Sequence, residues 1–249
     1  MSDREAFLRR FHAARPGITS AALADTESYD RLIAAVPVDV RVLDLGCADA
    51  HLVTRLGPRA IGVDLAPVRT GPPARLVQAR AQALPFADGV FGACVCHLAF
   101  MLFDPLDPVV AELRRVVVPG GVFAAVLGGG PTAHGSPADD AFHRFLAIAV
   151  PSGPSFGDPR ARSEAGWRGL FGAAPRFERF ELDLGGRFDE VWRFLGASYQ
   201  LSEADAPAIR DRLRESFVGH ARVPCHVVMW LATVQIGPAA PPRRADPLS

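Results

Sequence analysis

The sequence predicts an α/β fold built on a doubly wound, mostly parallel sheet, and three observations carry that expectation. Short runs of branched apolar residues recur with amphipathic stretches between them, the pattern of strands buried on both faces by crossover helices. The first run, "RVLDLGCADAHL" at 41–52, passes from an apolar strand through an acid into a turn of small residues. A second acid closes the next run, "AIGVDLA", twenty positions after the first.

Each element follows in order. Residues 4–35 carry apolar side chains at three- and four-residue spacing in "REAFLRRFHAA" and "SYDRLIAAV", with "RPG" between them, and are expected as one or two helices. Strands are then expected in "VRVLDLG", "AIGVDLA", "ARLVQARA", "GVFGACVCHL" and "GVFAAVLGG". "DPVVAELRRVVVPGG" reads as an amphipathic helix stopped by Pro119-Gly120-Gly121 ahead of the strand at Val122. The segment 131–160 holds a short helix between two Pro/Gly/Ser-rich stretches and is expected as a flexible cover over a site. "RARSEAGWRGLFGAA" is a further sheet-covering helix. "RFERFELDL" and "VPCHVVMWLATVQI" are strands separated by helices near 188–197 and 203–218. This organisation gives an N-terminal helical cap at 1–36, an α/β domain at 37–237 and a proline-rich tail at 238–249 expected to be disordered.

Composition narrows the function classes. The 249 residues are 49% hydrophobic with a formal net charge of zero, which suits one globular domain and provides no basic field for nucleic acid. No run of about 18 apolar residues is present, and "MSDREAFLRRF" sets charges where a secretion signal needs apolar residues, so the expectation is a cytoplasmic protein with no membrane contact. The chain contains no lysine, which excludes lysine Schiff-base chemistry, and no asparagine. Cys47, Cys94, Cys96 and Cys225 all lie in hydrophobic runs, as reduced core residues do. "CVCH" has a metal-like look, but buried cysteine packs as a small hydrophobe and no metal is expected.

In an open parallel sheet, ligands bind beyond the carboxyl ends of the strands. The "GCADAH" turn supplies only the first glycine of a dinucleotide-binding G-x-G-x-x-G, and a P-loop is absent. Asp44, just before the turn, would repel a pyrophosphate but suits a cationic amino group, while Asp64 is placed for ribose hydroxyls. A nucleoside bearing an amino acid is the ligand that fits both.

Here the residues resemble the class I S-adenosylmethionine-dependent methyltransferases, of the type 11-like group, over roughly residues 38–130. "VLDLGCADA" resembles their first motif, "GVDLA" their ribose-binding strand end, "ARAQALPFADGVFGACVC" their adenine loop and fourth strand, and "ELRRVVVPGGVFAAV" the helix and fifth strand. The resemblance implies a seven-stranded, Rossmann-like methyltransferase fold with S-adenosylmethionine as cofactor and S-adenosylhomocysteine as product. It places Gly46, Cys47 and Ala48 along the methionine part with Asp44 near its amino group, Asp64 on the ribose, and Leu65, Ala81 and Gln82 around adenine. Cys96, ending the fourth strand, would face the sulfonium, and Tyr29 of the N-terminal cap joins the cofactor contacts. Ala48 and Ala50 stand where the family carries glycine, and Arg80 and Gly92 where it carries acids. "LAPVRTGPPAR", between Asp64 and Leu76, is too short and proline-rich for the usual helix.

Methyl transfer from a sulfonium needs chiefly alignment of the acceptor and exclusion of water, with a general base when the acceptor is a hydroxyl. His97, directly after the strand that ends at the cofactor, is the catalytic candidate, ahead of His12, Tyr29, His134, His143 and Tyr199. Phe100, Phe103, Phe142, Phe145, Trp167, Trp192 and Trp230 are candidates for an apolar acceptor pocket, or for ordinary core. The expected activity is methylation of a small, largely apolar, natural-product-like acceptor on oxygen. Two alternatives stay open: a non-methyl reaction such as a cyclisation on the same scaffold, and a non-catalytic interaction subunit. The resemblance also allows a homodimer.

Overall fold

The computed structural model describes residues 9–10, 13–14, 17–66, 75–131, 139–149, 157–198, 201 and 204–237. Among these, seven strands form one sheet in the order β3-β2-β1-β4-β5-β7-β6. They are β1 (Val42–Leu45), β2 (Ala60–Asp64), β3 (Leu76–Gln78), β4 (Phe91–His97), β5 (Val117–Pro131), β6 (Arg176–Asp183) and β7 (His226–Gln235). Neighbours from β3 to β5 pair in parallel, and β7 runs antiparallel between β5 and β6. The strand order reverses between β1 and β4, so the crevice at their carboxyl ends is where such a sheet binds ligands.

Two helical layers cover the sheet. On one face lie α1 (Ile18–Leu23), α2 (Glu27–Ala34), α3 (His51–Leu56), α5 (Ala141–Ala149), α7 (Phe188–Ser198) and α8 (Ala206–Glu215). On the other lie α4 (Asp107–Val116) and α6 (Glu164–Phe171). The sequence makes α4 readable: Val109, Val110, Leu113 and Val116 recur on one face and are buried, with Pro108 in the first turn. The N-cap of α2 is Thr26, whose hydroxyl accepts the Ser28 N–H, and α2 lies against β4, β5 and β7. The other cap helix, α1, packs on α7.

The strands alternate between the layers. Val42, Ala93 and Val95 belong to the core beneath α2 and α3, whereas Leu43, Leu45, Cys94 and Cys96 belong to the core beneath α4 and α6. Asp44 and His97, in step with the first set, face α2 and α3.

The structure differs from the sequence expectation at two places along this frame. Pro119-Gly120-Gly121 does not stand outside the fifth strand: β5 already pairs Val117 with Phe91, then resumes with Val122 against Ala93, so the intervening residues form a bulge. A Cβ at Gly121 would lie 2.6 Å from the Gly92 carbonyl oxygen, which is why glycine carries the chain back into register. Also, β4 runs one residue past Cys96, to His97.

Most of "LAPVRTGPPAR", the two Pro/Gly/Ser-rich stretches of 131–160, His12, His134, Tyr199 and the 238–249 tail fall outside the described residues. No helix among the described residues is long and apolar enough to cross a membrane.

Candidate functional site

The turn after β1 keeps a glycine-like backbone while using alanine. Gly46 has φ +80°, and Ala48 and Ala50 have φ +44° and +65°, the left-handed region that costs an L-residue about 1–2 kcal/mol. Among the described residues the remaining non-glycine residue of positive φ is Leu98, at +54°, in the turn after β4. The two turns touch, since a Cβ at Gly46 would lie 2.5 Å from the Ala99 Cβ. Strain of this kind persists where surrounding structure enforces it, and here all of it sits at the carboxyl ends of two adjacent strands.

Asp64 ties β2 to that turn. Its Oδ2 accepts the Ala48 N–H at 3.1 Å and its Oδ1 the Ala66 N–H at 2.9 Å, so the carboxylate is oriented at the strand end with a lone pair left on each oxygen. The Gly46 and Cys47 N–H groups both donate to the Val63 carbonyl, at 2.8 and 3.1 Å. Asp44 lies beneath the turn, 2% exposed. Burial, then the negative charges of Asp64 and Asp49, push its carboxyl up to about 8. Asp49 in turn accepts the Ser20 hydroxyl of α1. Three carboxylates therefore converge on one turn.

On the α2 side three rings meet, one pair stacked and the other tilted. Tyr29 lies against His97, with ring centroids 4.0 Å apart and planes 14° apart, and against His51 at 4.6 Å. His97 Nε2 lies 3.1 Å from the hydroxyl of the buried Ser28. Burial, then His51, lower the His97 imidazole to about 3, so the ring is neutral. The Tyr29 phenol is pushed up from its ordinary value by burial first and by Asp49 and Asp44 next. His51 Nε2 is buried and has no hydrogen-bond partner among the described residues.

The structure brings Asp44, Gly46, Ala48, Asp64, Tyr29 and His97 together. Leu65 follows β2, and its carbonyl accepts the Gln78 side-chain amide at 2.8 Å. Ala81 is buried and Gln82 half-buried on the loop after β3. That loop is clamped to α4, where Glu112 accepts the Leu84 N–H at 2.7 Å and Arg115 donates to the Leu84 and Phe86 carbonyls. Cys47 packs its sulfur over Gly62, where a Cβ would come within 2.7 Å. Cys96 is wholly buried on the face opposite Asp44 and His97, its thiol pushed up by burial.

Sequence reasoning missed Ser28 and His51. His51 carried a signal, an ionisable side chain directly after the turn, whereas Ser28 is joined to His97 only by the fold. Gly92 has a local reason, since a Cβ there would lie 2.5 Å from the Val40 Cβ and an acid has no room. The aromatics proposed for an acceptor pocket are largely core: Trp167 is fully buried, stacks on Phe123 at 5.2 Å and meets Phe100 edge-on, while Phe142 and Phe145 pack with Phe194 and Trp192. Among the described residues no group of three His, Cys, Asp or Glu side chains could hold a metal ion.

Residues 43–125 match a family model described as a methyltransferase domain. An uncharacterised methyltransferase of Synechocystis sp. is 32% identical over 103 residues, 37% of this chain and 49% of that one. A demethylmenaquinone methyltransferase of Thermus thermophilus is 32% identical over 96 residues, 32% of this chain and 44% of that one. The chain thus spans just under half the length of these curated relatives. A solved structure from Anabaena variabilis, described as a methyltransferase candidate of an antibiotic biosynthesis pathway, superposes with a TM-score of 0.60 at 12% identity, covering 83% of this chain and 96% of the other. At that identity the likeness is one of fold.

Proposed function

We propose that the protein transfers a methyl group from S-adenosylmethionine to oxygen of a small, largely apolar acceptor, a reading supported by the match of residues 43–125 to a methyltransferase domain model and by the seven-stranded sheet. The observation that carries this reading is the buried Asp44, set beneath a strained turn with Asp49 and Asp64 beside it. Such a site repels phosphate and favours a ligand with an ammonium and a sulfonium. The residues present fit that group: Asp44 takes the amino end, the Gly46–Ala48 backbone follows the methionine part, and the free lone pairs of Asp64 take the ribose hydroxyls. Leu65, Ala81 and Gln82 surround adenine. Bound there, S-adenosylmethionine supplies an electrophilic methyl on sulfur and leaves as S-adenosylhomocysteine.

The chain's own contribution is alignment. His97, neutral and held by Ser28 and Tyr29, orients the acceptor by a hydrogen bond and is too weakly basic in this state to ionise an ordinary alcohol. An acceptor whose hydroxyl is itself acidic, such as a phenol or a carboxylic acid, fits that limit. The turn that follows β4, Leu98 to Met101, is apolar, and the zero net charge supports a small-molecule acceptor over nucleic acid.

The test is mass spectrometry of a panel of phenols and carboxylic acids incubated with protein and S-adenosylmethionine, looking for products heavier by one CH2. Cofactor binding with no methylated product would favour the second reading, a non-methyl reaction such as a cyclisation. The methyl groups that Ala48 and Ala50 add to the turn speak for that second reading.

A further inference from the structure

We propose that Thr26 and Ser28 are positioning residues that keep the proton of the His97 ring on Nε2, so that Nδ1 meets the methyl acceptor as a bare lone pair and selects a phenol over a carboxylate. The identity of the methyl acceptor rests on the reading above, whereas the polarity of the ring stands by itself.

That polarity follows from counting hydrogens. A hydroxyl donates one hydrogen bond and accepts two, and a neutral imidazole carries one N–H. Thr26 Oγ1 lies 2.8 Å from the Leu23 carbonyl oxygen, which can only accept, so the Thr26 hydrogen is committed there. Thr26 Oγ1 then accepts the Ser28 N–H at 3.4 Å and the Ser28 hydroxyl at 2.9 Å, which commits the Ser28 hydrogen in turn. Ser28 Oγ, wholly buried, has only a lone pair left to offer His97 Nε2 at 3.1 Å. Nε2 must therefore donate, and Nδ1 of the neutral ring is bare.

Nδ1 is also the ring nitrogen within reach of a ligand. His97 is half-buried at the carboxyl end of β4, with one face on Tyr29. Among the described residues Nδ1 has no hydrogen-bond partner, and unlike His51 Nε2 it is not sealed from solvent. A phenol donates its O–H to this lone pair. A carboxylate has no proton to give and would set lone pair against lone pair, the kind of mismatch a site built for a hydroxyl rejects strongly.

The experiment is long-range proton–nitrogen NMR of protein carrying isotope-labelled histidine, with His97→Gln to assign the His97 signals. Wild type should show N–H at Nε2 and a bare Nδ1, and the reverse overturns the proposal. Thr26→Val frees the Ser28 hydrogen and should move part of the N–H population to Nδ1, while Thr26→Ser should restore the wild-type spectrum. Ser28→Ala, which leaves the Thr26 hydroxyl in place, should make the Nε2 proton exchange with water about tenfold faster, as loss of one hydrogen bond implies. Thr26→Val and Ser28→Ala spectra indistinguishable from wild type overturn the role of the two residues. Phenol, added with S-adenosylhomocysteine present, should shift the Nδ1 signal and benzoate should not; a shift from both, or from neither, overturns the selection of hydroxyls. A wild type that fails to bind S-adenosylhomocysteine overturns the cofactor reading above, while the polarity of the ring is still read from the ligand-free spectra.

Discussion

The imidazole of His97 lies flat against the ring of Tyr29, so the last residue of β4 is locked to the first turn of α2. This contact joins the N-terminal cap to the strand end where the reaction is proposed. Tyr29→Ala should therefore lower stability by about 3–5 kcal/mol, the cost of removing a buried aromatic, whereas Tyr29→Phe keeps the stack and should stay close to wild type. Urea unfolding of the three proteins checks it.

Asp44 should make the empty protein more stable in mild acid. Its folded value of about 8 lies above its ordinary 3.8, so its unfavourable contribution is absent below the lower value and grows as pH rises towards the higher one. Asp44→Asn should raise Tm at pH 7.5 and flatten this dependence while weakening cofactor binding at least tenfold. A cationic ligand would also drive the Asp44 proton off, so the binding enthalpy near pH 7 should depend on the ionisation enthalpy of the buffer.

His97 acts in the opposite sense. Its folded value of about 3 lies below its ordinary 6.5, so the unfolded chain takes up the proton first and stability falls as pH drops from 6.5 towards 3. In an NMR titration between pH 8 and 4.5 its ring resonances should not move. A midpoint near 6.5 would mean the ring is solvated and free to act as a base.

Ala48→Gly and Ala50→Gly should each stabilise the protein by about 0.5–1 kcal/mol, because relief of the positive φ outweighs the added freedom of the unfolded chain. Removing methyl groups beside the proposed cofactor should leave its affinity equal or tighter. Denaturant unfolding and ligand titration on the two variants read both effects, and a loss of stability would show that the methyl groups are packed.

The parts of this molecule that sequence reveals are the local ones. Asp44 and Asp64 close apolar runs, so their place at strand ends follows from alternation alone. Val109, Val110, Leu113 and Val116 mark α4 by spacing. The rest depends on contacts made across the chain. Cys96 sits within the strand rather than at its end, and the parity that sends it to the α4 face is fixed only once the β4 boundary is known. The pairing of Ser28 with His97 spans the cap and the sheet. The β5 bulge arises because Phe91 and Val117 pair ahead of the glycines, a register no local pattern encodes. Trp167 and Phe100 belong to the core because α6 packs over β5.

The central claim, that the alanine-bearing turn still holds S-adenosylmethionine, is tested most directly by calorimetric titration of wild type and Asp64→Ala with S-adenosylmethionine and S-adenosylhomocysteine. Saturable binding of both ligands at one site per chain, lost in Asp64→Ala, is the expected result. No binding to wild type, or equal binding to the variant, would contradict it.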